Sequence, residues 1–178
     1  MFASNTEQLL GYWRTRRGGL PAPRRADIDV ADFAPLAPQV FIAETAHGGD
    51  IRFRLAGEAV AALRAAPLNG ESLLSLWAAE HRGRLSRLLA RALAEAEPLV
   101  VLASASSADG QESRFELLFA PLAGPTGAYD RFLGLWQPTP VRAAMRIGPL
   151  AIVALNGFAD EARRANLRLA ALDGRRIA

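Results

Sequence analysis

The fold is decided by residues 99–136, LVVLASASSADGQESRFELLFAPLAGPTGAYDRFLGLW. Residues 99–106 and 114–122 are apolar and rich in residue types that favour strands, and the Asp109-Gly110 pair between them is a strong hairpin signal. A loop containing glycine and proline then leads to a further strand at residues 131–136. This stretch therefore predicts three consecutive strands that pair antiparallel.

Two more strands are predicted upstream. Residues 40–44 are apolar and partly β-branched. Residues 51–55 alternate between apolar side chains and arginine, which predicts a strand with Ile51, Phe53 and Leu55 on its core face.

Leu73 to about Ala96 is amphipathic and predicts the longest helix, with Trp77 and His81 on its apolar stripe. The order strand–strand–helix–strand–strand–strand excludes a doubly wound parallel sheet, in which strands and helices alternate. It favours an α+β fold, a five-stranded antiparallel sheet with its helices gathered on one face.

The chain is expected to have three parts. Residues 1–35 form an N-terminal helix and connector, with the helix at about 5–17. Residues 36–138 form the core, and residues 139–178 form a C-terminal extension. In the extension, residues 150–155 fit a strand or a buried turn, and residues 157–172 fit a helix or a strand, with the helix favoured.

Composition excludes several classes of function. The 178 residues include no cysteine, which excludes disulfides, thiolate metal sites, cysteine nucleophiles and cysteinyl-flavin adducts. No apolar stretch approaches the ~20 residues that span a bilayer. The N-terminus has no signal-peptide pattern, so a cytoplasmic protein without membrane contact is expected.

The basic residues are all arginine, 21 of them, and they exceed the acidic residues by three. They form short clusters without interleaved aromatic residues, which favours a solvated surface over a nucleic-acid interface. An arginine-rich, nucleic-acid-associated regulator is the alternative to the interpretation developed below.

Several local strings resemble the single-domain PAS proteins common in alphaproteobacteria. They are Leu10-Gly11-Tyr12-Trp13, Arg17-Gly18-Gly19, Asp27-Ile28-Asp29, Phe53-Arg54-Leu55-Ala56-Gly57, Leu68-Asn69-Gly70, Leu76-Trp77, Arg131-Phe132-Leu133-Gly134 and Leu172-Asp173-Gly174. The resemblance implies a PAS fold and a role in bacterial signalling, in regulation of the motility or cell-cycle type. The protein would then act as a non-catalytic module through protein–protein interaction.

No catalytic site is predicted. The chain has two histidines, no Gly-x-Ser-x-Gly and no phosphate loop, and its carboxylates lack the spacing of a glycosidase pair or a metal site. His81 would be the ligand if the chain bound haem, but no cofactor and no metal are predicted.

Five residues are candidates for the wall of a pocket between sheet and helices, where a small apolar ligand could bind: Phe53, Trp77, His81, Phe115 and Trp136. The competing interpretation of each is ordinary core.

The N-terminal helix carries Leu9, Leu10 and Trp13 on one side. These three residues are candidates for a partner interface, and a homodimer through this helix is expected, because such a face packs on a sheet or on another copy of the chain. Other protein partners are expected, but the sequence does not identify them.

Overall fold

The computed structural model describes residues 2–63, 67–106, 110–139 and 147–158. Three α-helices lie in this part of the chain: α1 (Ser4–Arg17), α2 (Glu58–Ala62) and α3 (Ala79–Glu95). The strands are β1 (Val40–Thr45), β2 (Ile51–Ala56), β3 (Leu99–Ser106), β4 (Glu112–Ala123), β5 (Tyr129–Thr139) and β6 (Ala151–Phe158). Short 3-10 segments lie at Arg25–Asp27, Val30–Gln39, His47–Gly49 and Leu73–Leu76.

The strands form one antiparallel sheet in the order β2-β1-β5-β4-β3-β6. The predicted α+β architecture is confirmed, and β3, β4 and β5 form the expected meander. Asp109 of the predicted hairpin lies outside the described residues, while Gly110 beside it has a φ of 80°, which glycine adopts without strain.

The sheet has a sixth strand, β6, where residues 150–155 were predicted to form a strand or a buried turn; only its last two residues, Gly157 and Phe158, fall where a helix was favoured. Strand β6 pairs with β3 along its length, from Ser104 opposite Ala151 to Leu99 opposite Phe158. Without β6, the backbone amides and carbonyls along one side of β3 would lack strand partners, and β6 pairs with them. Residues 159–178 of the predicted helix lie outside the described part.

Both faces of the sheet are covered. We call the side under α2 and α3 the inner face, and the side under α1 and the Val30–Gln39 segment the outer face; each carries its own cluster of buried apolar residues. On β4, Phe115, Leu117 and Phe119 belong to the inner cluster, while Leu118 and Leu122 belong to the outer one. The continuous apolar run of β4 follows from this double burial.

Two local predictions are wrong. Leu55 is 44 % exposed, because the pairing of β1 with β2 shifts register between Ile42 and Ala43 and turns Leu55 away from the core. Trp77 lies before α3 rather than on it, since the chain makes a 3-10 turn at Leu73–Leu76 and becomes helical only at Ala79.

Among the described residues, no helix is both long enough and apolar enough to cross a membrane.

Candidate ligand-binding face

Four of the five predicted pocket residues come together on the inner face. Phe53, Trp77, Phe115 and Trp136 are 0 %, 0 %, 2 % and 4 % exposed and belong to one buried cluster. His81 is only half-buried and lies outside that cluster; it occupies the first turn of α3, where its amide donates to the Ala78 carbonyl at 2.9 Å. Four of the five predicted residues thus share an aromatic surface, and His81 is more exposed than any of them.

A row of phenyl rings fills much of this surface. Phe41 meets Phe53 with ring centroids 5.4 Å apart and Phe119 at 5.8 Å, and Phe119 meets Phe132 at 6.0 Å, all edge to face. The row depends on Gly134, which faces Phe41 across the β1–β5 pair. A β-carbon built on Gly134 would collide with the Phe41 ring. Edge-to-face contacts stabilise such rows beyond their burial.

Trp136 differs from the other aromatic residues of this face. Its ring meets Phe115 at 5.7 Å, and its indole Nε1 is buried without a hydrogen-bond partner among the described residues. Burying an unpaired donor costs roughly 1–3 kcal/mol. Trp13 on the outer face shows the usual arrangement, because its Nε1 donates to the Pro121 carbonyl at 2.7 Å. Among the described residues, the Trp136 N–H is therefore a buried donor without an acceptor within a cluster of apolar side chains.

A polar contact between α1 and the sheet was missed at the level of sequence. Glu116 and Gln137 lie opposite each other on β4 and β5 and are only 5 % and 6 % exposed. Glu116 Oε1 accepts from the Ala3 amide at 2.9 Å, and Gln137 Oε1 accepts from Asn5 Nδ2 at 2.8 Å. The apolar run of β4 could have indicated this contact, because a strand that is apolar on both sides needs a second element to cover the outer face.

The three predicted interface residues take part in the fold of the same chain. Leu9, Leu10 and Trp13 are fully buried in the outer cluster, where α1 packs on the sheet. A second copy could reach them only if α1 left the sheet. The homodimer stays a prediction. If α1 remains packed on the sheet, the dimer would have to form through a different surface.

The groups with shifted pKa values lie in ion pairs, except Tyr12, whose hydroxyl donates to Asp32 Oδ2 at 3.0 Å. The hydrogen bond from Arg16 lowers the pKa of Asp32, and the same contact raises the pKa of Arg16, while partial burial raises the pKa of Tyr12. The three side chains join α1 to the connector. The hydrogen bond with Asp130 likewise raises the pKa of Arg131.

In the described ranges, no group of three or more His, Asp or Glu side chains could hold a metal ion.

Several arginines of the predicted clusters are engaged locally. Arg16 pairs with Asp32, and Arg17 stacks over the Trp13 ring at 5.2 Å. The clusters near residues 163 and 175 lie outside the described residues. No finding supports the nucleic-acid alternative.

Comparison with known proteins gives a family and a set of similar structures. A family model described as "PAS domain" matches residues 1–137. No curated protein matches the chain.

Among solved structures, a LOV protein from Rhodobacter sphaeroides is 16 % identical, with a TM-score of 0.46 over 62 % of this chain and 68 % of that one. A structure titled "Flavin Analogue Sheds Light on Light-Oxygen-Voltage Domain Mechanism" is also 16 % identical, with a TM-score of 0.47 over 81 % of this chain and 94 % of that one.

Proposed function

This chain belongs to the PAS domain family, and we propose that it is a non-catalytic, cytoplasmic module of bacterial signalling that changes its affinity for a protein partner when a small ligand binds its inner face. The pathway would be of the motility or cell-cycle type that the sequence resemblance implies. The observation that carries the ligand half of this proposal is the buried N–H of Trp136, which has no hydrogen-bond partner in the part of the chain that the structure describes.

The chemistry of the inner face defines the class of ligand. The cluster to which Trp136 belongs is made of aromatic and aliphatic side chains; these include Phe115, whose ring it contacts, and Ile147, Leu150 and Ile152. A small apolar molecule with one acceptor oxygen would bury its carbon skeleton there and accept from the indole N–H. A strongly charged molecule is disfavoured, because burying an unpaired charge among apolar side chains is costly.

Strand β5 supplies a route from that ligand to the surface. Successive residues of a strand point to opposite faces, so Trp136 faces the inner cluster while Gln137 faces α1. A ligand that displaces Trp136 would therefore move Gln137 as well, and with it the hydrogen bond to Asn5. The docking of α1 would then be the quantity that a protein partner detects.

Native mass spectrometry and an absorption spectrum of the purified protein test the ligand. We expect a bound small molecule on the wild type, and its loss in Trp136→Phe. Trp77→Phe is the matched control, because it changes a fully buried tryptophan of the same cluster and leaves Trp136 in place. A bare wild-type mass, or equal retention in the two variants, would contradict a ligand held by the Trp136 N–H.

Hydrogen exchange of the α1 amides tests the route. Asn5→Ala removes the donor to Gln137 and is expected to raise exchange in the first turn of α1. Thr15→Ala is the control on the same helix, because the Thr15 hydroxyl donates to the Gly11 carbonyl within α1 and to no other described residue. Equal exchange in both variants would refute a role for Asn5 in docking α1.

Light scattering over a range of concentrations tests the homodimer, and a constant monomer mass would exclude it.

A further inference from the structure

A groove of about 620 Å³ lies where the connector after α1 meets the turn between β4 and β5. The Ala123 amide donates to the Pro23 carbonyl at 2.9 Å, and Arg24 forms a parallel bridge with Ala123. Arg25 opens the 3-10 turn that follows. The backbone that carries both arginines is therefore fixed against the sheet.

The opposite wall of the groove is the β4–β5 turn. The Gly127 amide donates to the Gly124 carbonyl at 3.0 Å, and the Gly124 amide donates to the Ala128 carbonyl at 2.8 Å. Gly127 has a φ of 84°, so the turn requires glycine there. Thr126, between these glycines, also lines the groove and offers a hydroxyl.

The charges in the groove are unbalanced. Arg131 is compensated, because its Nε lies 2.8 Å from Asp130 Oδ1 and its Nη2 lies 3.6 Å from Glu44 Oε2. Among the described residues, neither Arg24 nor Arg25 has a carboxylate partner, and Arg25 Nη1 donates only to a backbone carbonyl, that of Ile28, at 3.3 Å. Two residues that line the groove therefore carry guanidinium charges with no carboxylate partner in the described part of the chain.

The nearest acidic residue along the chain does not change this balance. Asp27 closes the same 3-10 turn as Arg25, but it lines a different groove, together with Tyr12 and Asp32. The wall that carries Arg24 and Arg25 keeps its positive charge.

We propose that this groove binds a phosphate monoester group. A monoester carries a charge of about −1.5 to −2 at neutral pH, which matches two uncompensated guanidinium groups. Arginine presents paired N–H donors that fit two phosphate oxygens at once, and the Thr126 hydroxyl adds a neutral donor. The site goes beyond the proposed function, because it is polar and lies apart from the inner cluster. A free phosphate ester and a phosphorylated protein side chain offer the same group.

A titration observed by ¹⁵N NMR tests the site, with inorganic phosphate as the first probe and sodium chloride holding the ionic strength constant. We expect saturable shifts at the Thr126 and Gly127 amides. The double variant R24Q/R25Q should weaken binding at least about tenfold. R84Q/R87Q removes the same charge from exposed positions on α3 and should stay within about twofold of the wild type.

If the double variant fails to fold, R24Q alone serves, because the Arg24 side chain is exposed; it should weaken binding at least about threefold. Non-saturating shifts, or equal weakening in R84Q/R87Q, would overturn the proposal, and so would unchanged binding in the Arg24 and Arg25 variants.

A capped Gly-phosphoserine-Gly peptide distinguishes the two sources of the phosphate group. Binding tighter than that of inorganic phosphate indicates a phosphorylated protein, and weaker or equal binding indicates a free phosphate ester. Loss of the Trp136 ligand leaves this titration unaffected, so the two proposals fail separately.

Discussion

Replacing each of two buried tryptophans by phenylalanine measures whether the Trp136 N–H is truly unpaired. Trp13 and Trp136 are both buried against the same sheet, one on each face. Trp13 Nε1 donates to the Pro121 carbonyl at 2.7 Å, whereas Trp136 Nε1 has no partner among the described residues. The same substitution therefore removes a hydrogen bond at one site and none at the other.

The expected difference follows from the cost of unpaired groups. Each substitution removes part of an aromatic ring from a packed core, at a cost of roughly 1–2 kcal/mol. Trp13→Phe also leaves the Pro121 carbonyl buried without its donor, which adds roughly 1–3 kcal/mol. Trp136→Phe adds no such cost and removes a buried unpaired donor. Trp13→Phe should thus be the more destabilising substitution by about 2 kcal/mol.

Urea unfolding of ligand-free protein, followed by circular dichroism, measures this difference. With a slope of about 2 kcal/mol per molar urea, the two unfolding midpoints should differ by about 1 M. Equal destabilisation by the two substitutions would refute the assignment, because it would mean that Trp136 loses a hydrogen bond as strong as that of Trp13. The ligand proposal would then lose the observation that carries it.

Three further predictions concern packing and pH. Gly134→Ala should destabilise the protein by about 1–3 kcal/mol, because its β-carbon would enter the ring of its cross-strand partner, while Gly11→Ala on α1, with open space around it, should be neutral or stabilising in thermal unfolding. Leu150→Ala, at a fully buried position before β6, should cost about 2–5 kcal/mol, whereas Val153→Ala, 52 % exposed, should leave the urea midpoint nearly unchanged. Asp32→Asn should lower the free energy of unfolding at neutral pH, and the difference from the wild type should disappear in acid. An arginine on α1 lowers the pKa of the Asp32 carboxyl in the folded state. The carboxylate therefore stabilises the protein above its unfolded-state pKa, and this stabilisation is lost as the pH falls through the folded-state pKa. If the difference in stability between the wild type and Asp32→Asn persists at acid pH, the charge of the carboxylate is not what stabilises the contact with Arg16.

Sequence patterns predicted the sheet well because each strand has a local pattern of apolar residues bounded by turn residues. The meander of β3, β4 and β5 followed from apolar runs separated by turn residues, and the inner face followed from the alternation of Phe115, Leu117 and Phe119. Phe53, Phe115 and Trp136 lie on that face because strand alternation places them there, whereas Trp77 reaches it from the segment between the 3-10 turn and α3. The apolar stripe that joins His81 to Trp77 requires one continuous helix from Leu73; α3 begins only at Ala79, so the two residues share no helical stripe, and His81 is half-buried.

The features that sequence missed depend on contacts between distant parts of the chain. The exposure of Leu55 arises from a bulge in the pairing of β1 with β2, which no pattern within β2 encodes. The burial of Glu116 and Gln137 arises from α1, more than 100 residues away, since the Ala3 amide and Asn5 supply their hydrogen bonds. A charged residue in an alternating strand is read as exposed unless the covering helix is known.

Strand β6 bears on how far the family assignment can describe the inner face. The family match ends at residue 137, within β5, while Leu150 and Ile152 come after it and still belong to the inner cluster with Trp136. The chain reaches them by a path anchored at several points: the Gly148 amide donates to the Ser106 carbonyl, and Leu150 exchanges backbone hydrogen bonds with Leu76 and Ala78. The segment around β6 therefore closes one side of the surface on which the ligand is proposed to bind. If a ligand binds there as proposed, its selection by shape would depend partly on residues that the family model does not include.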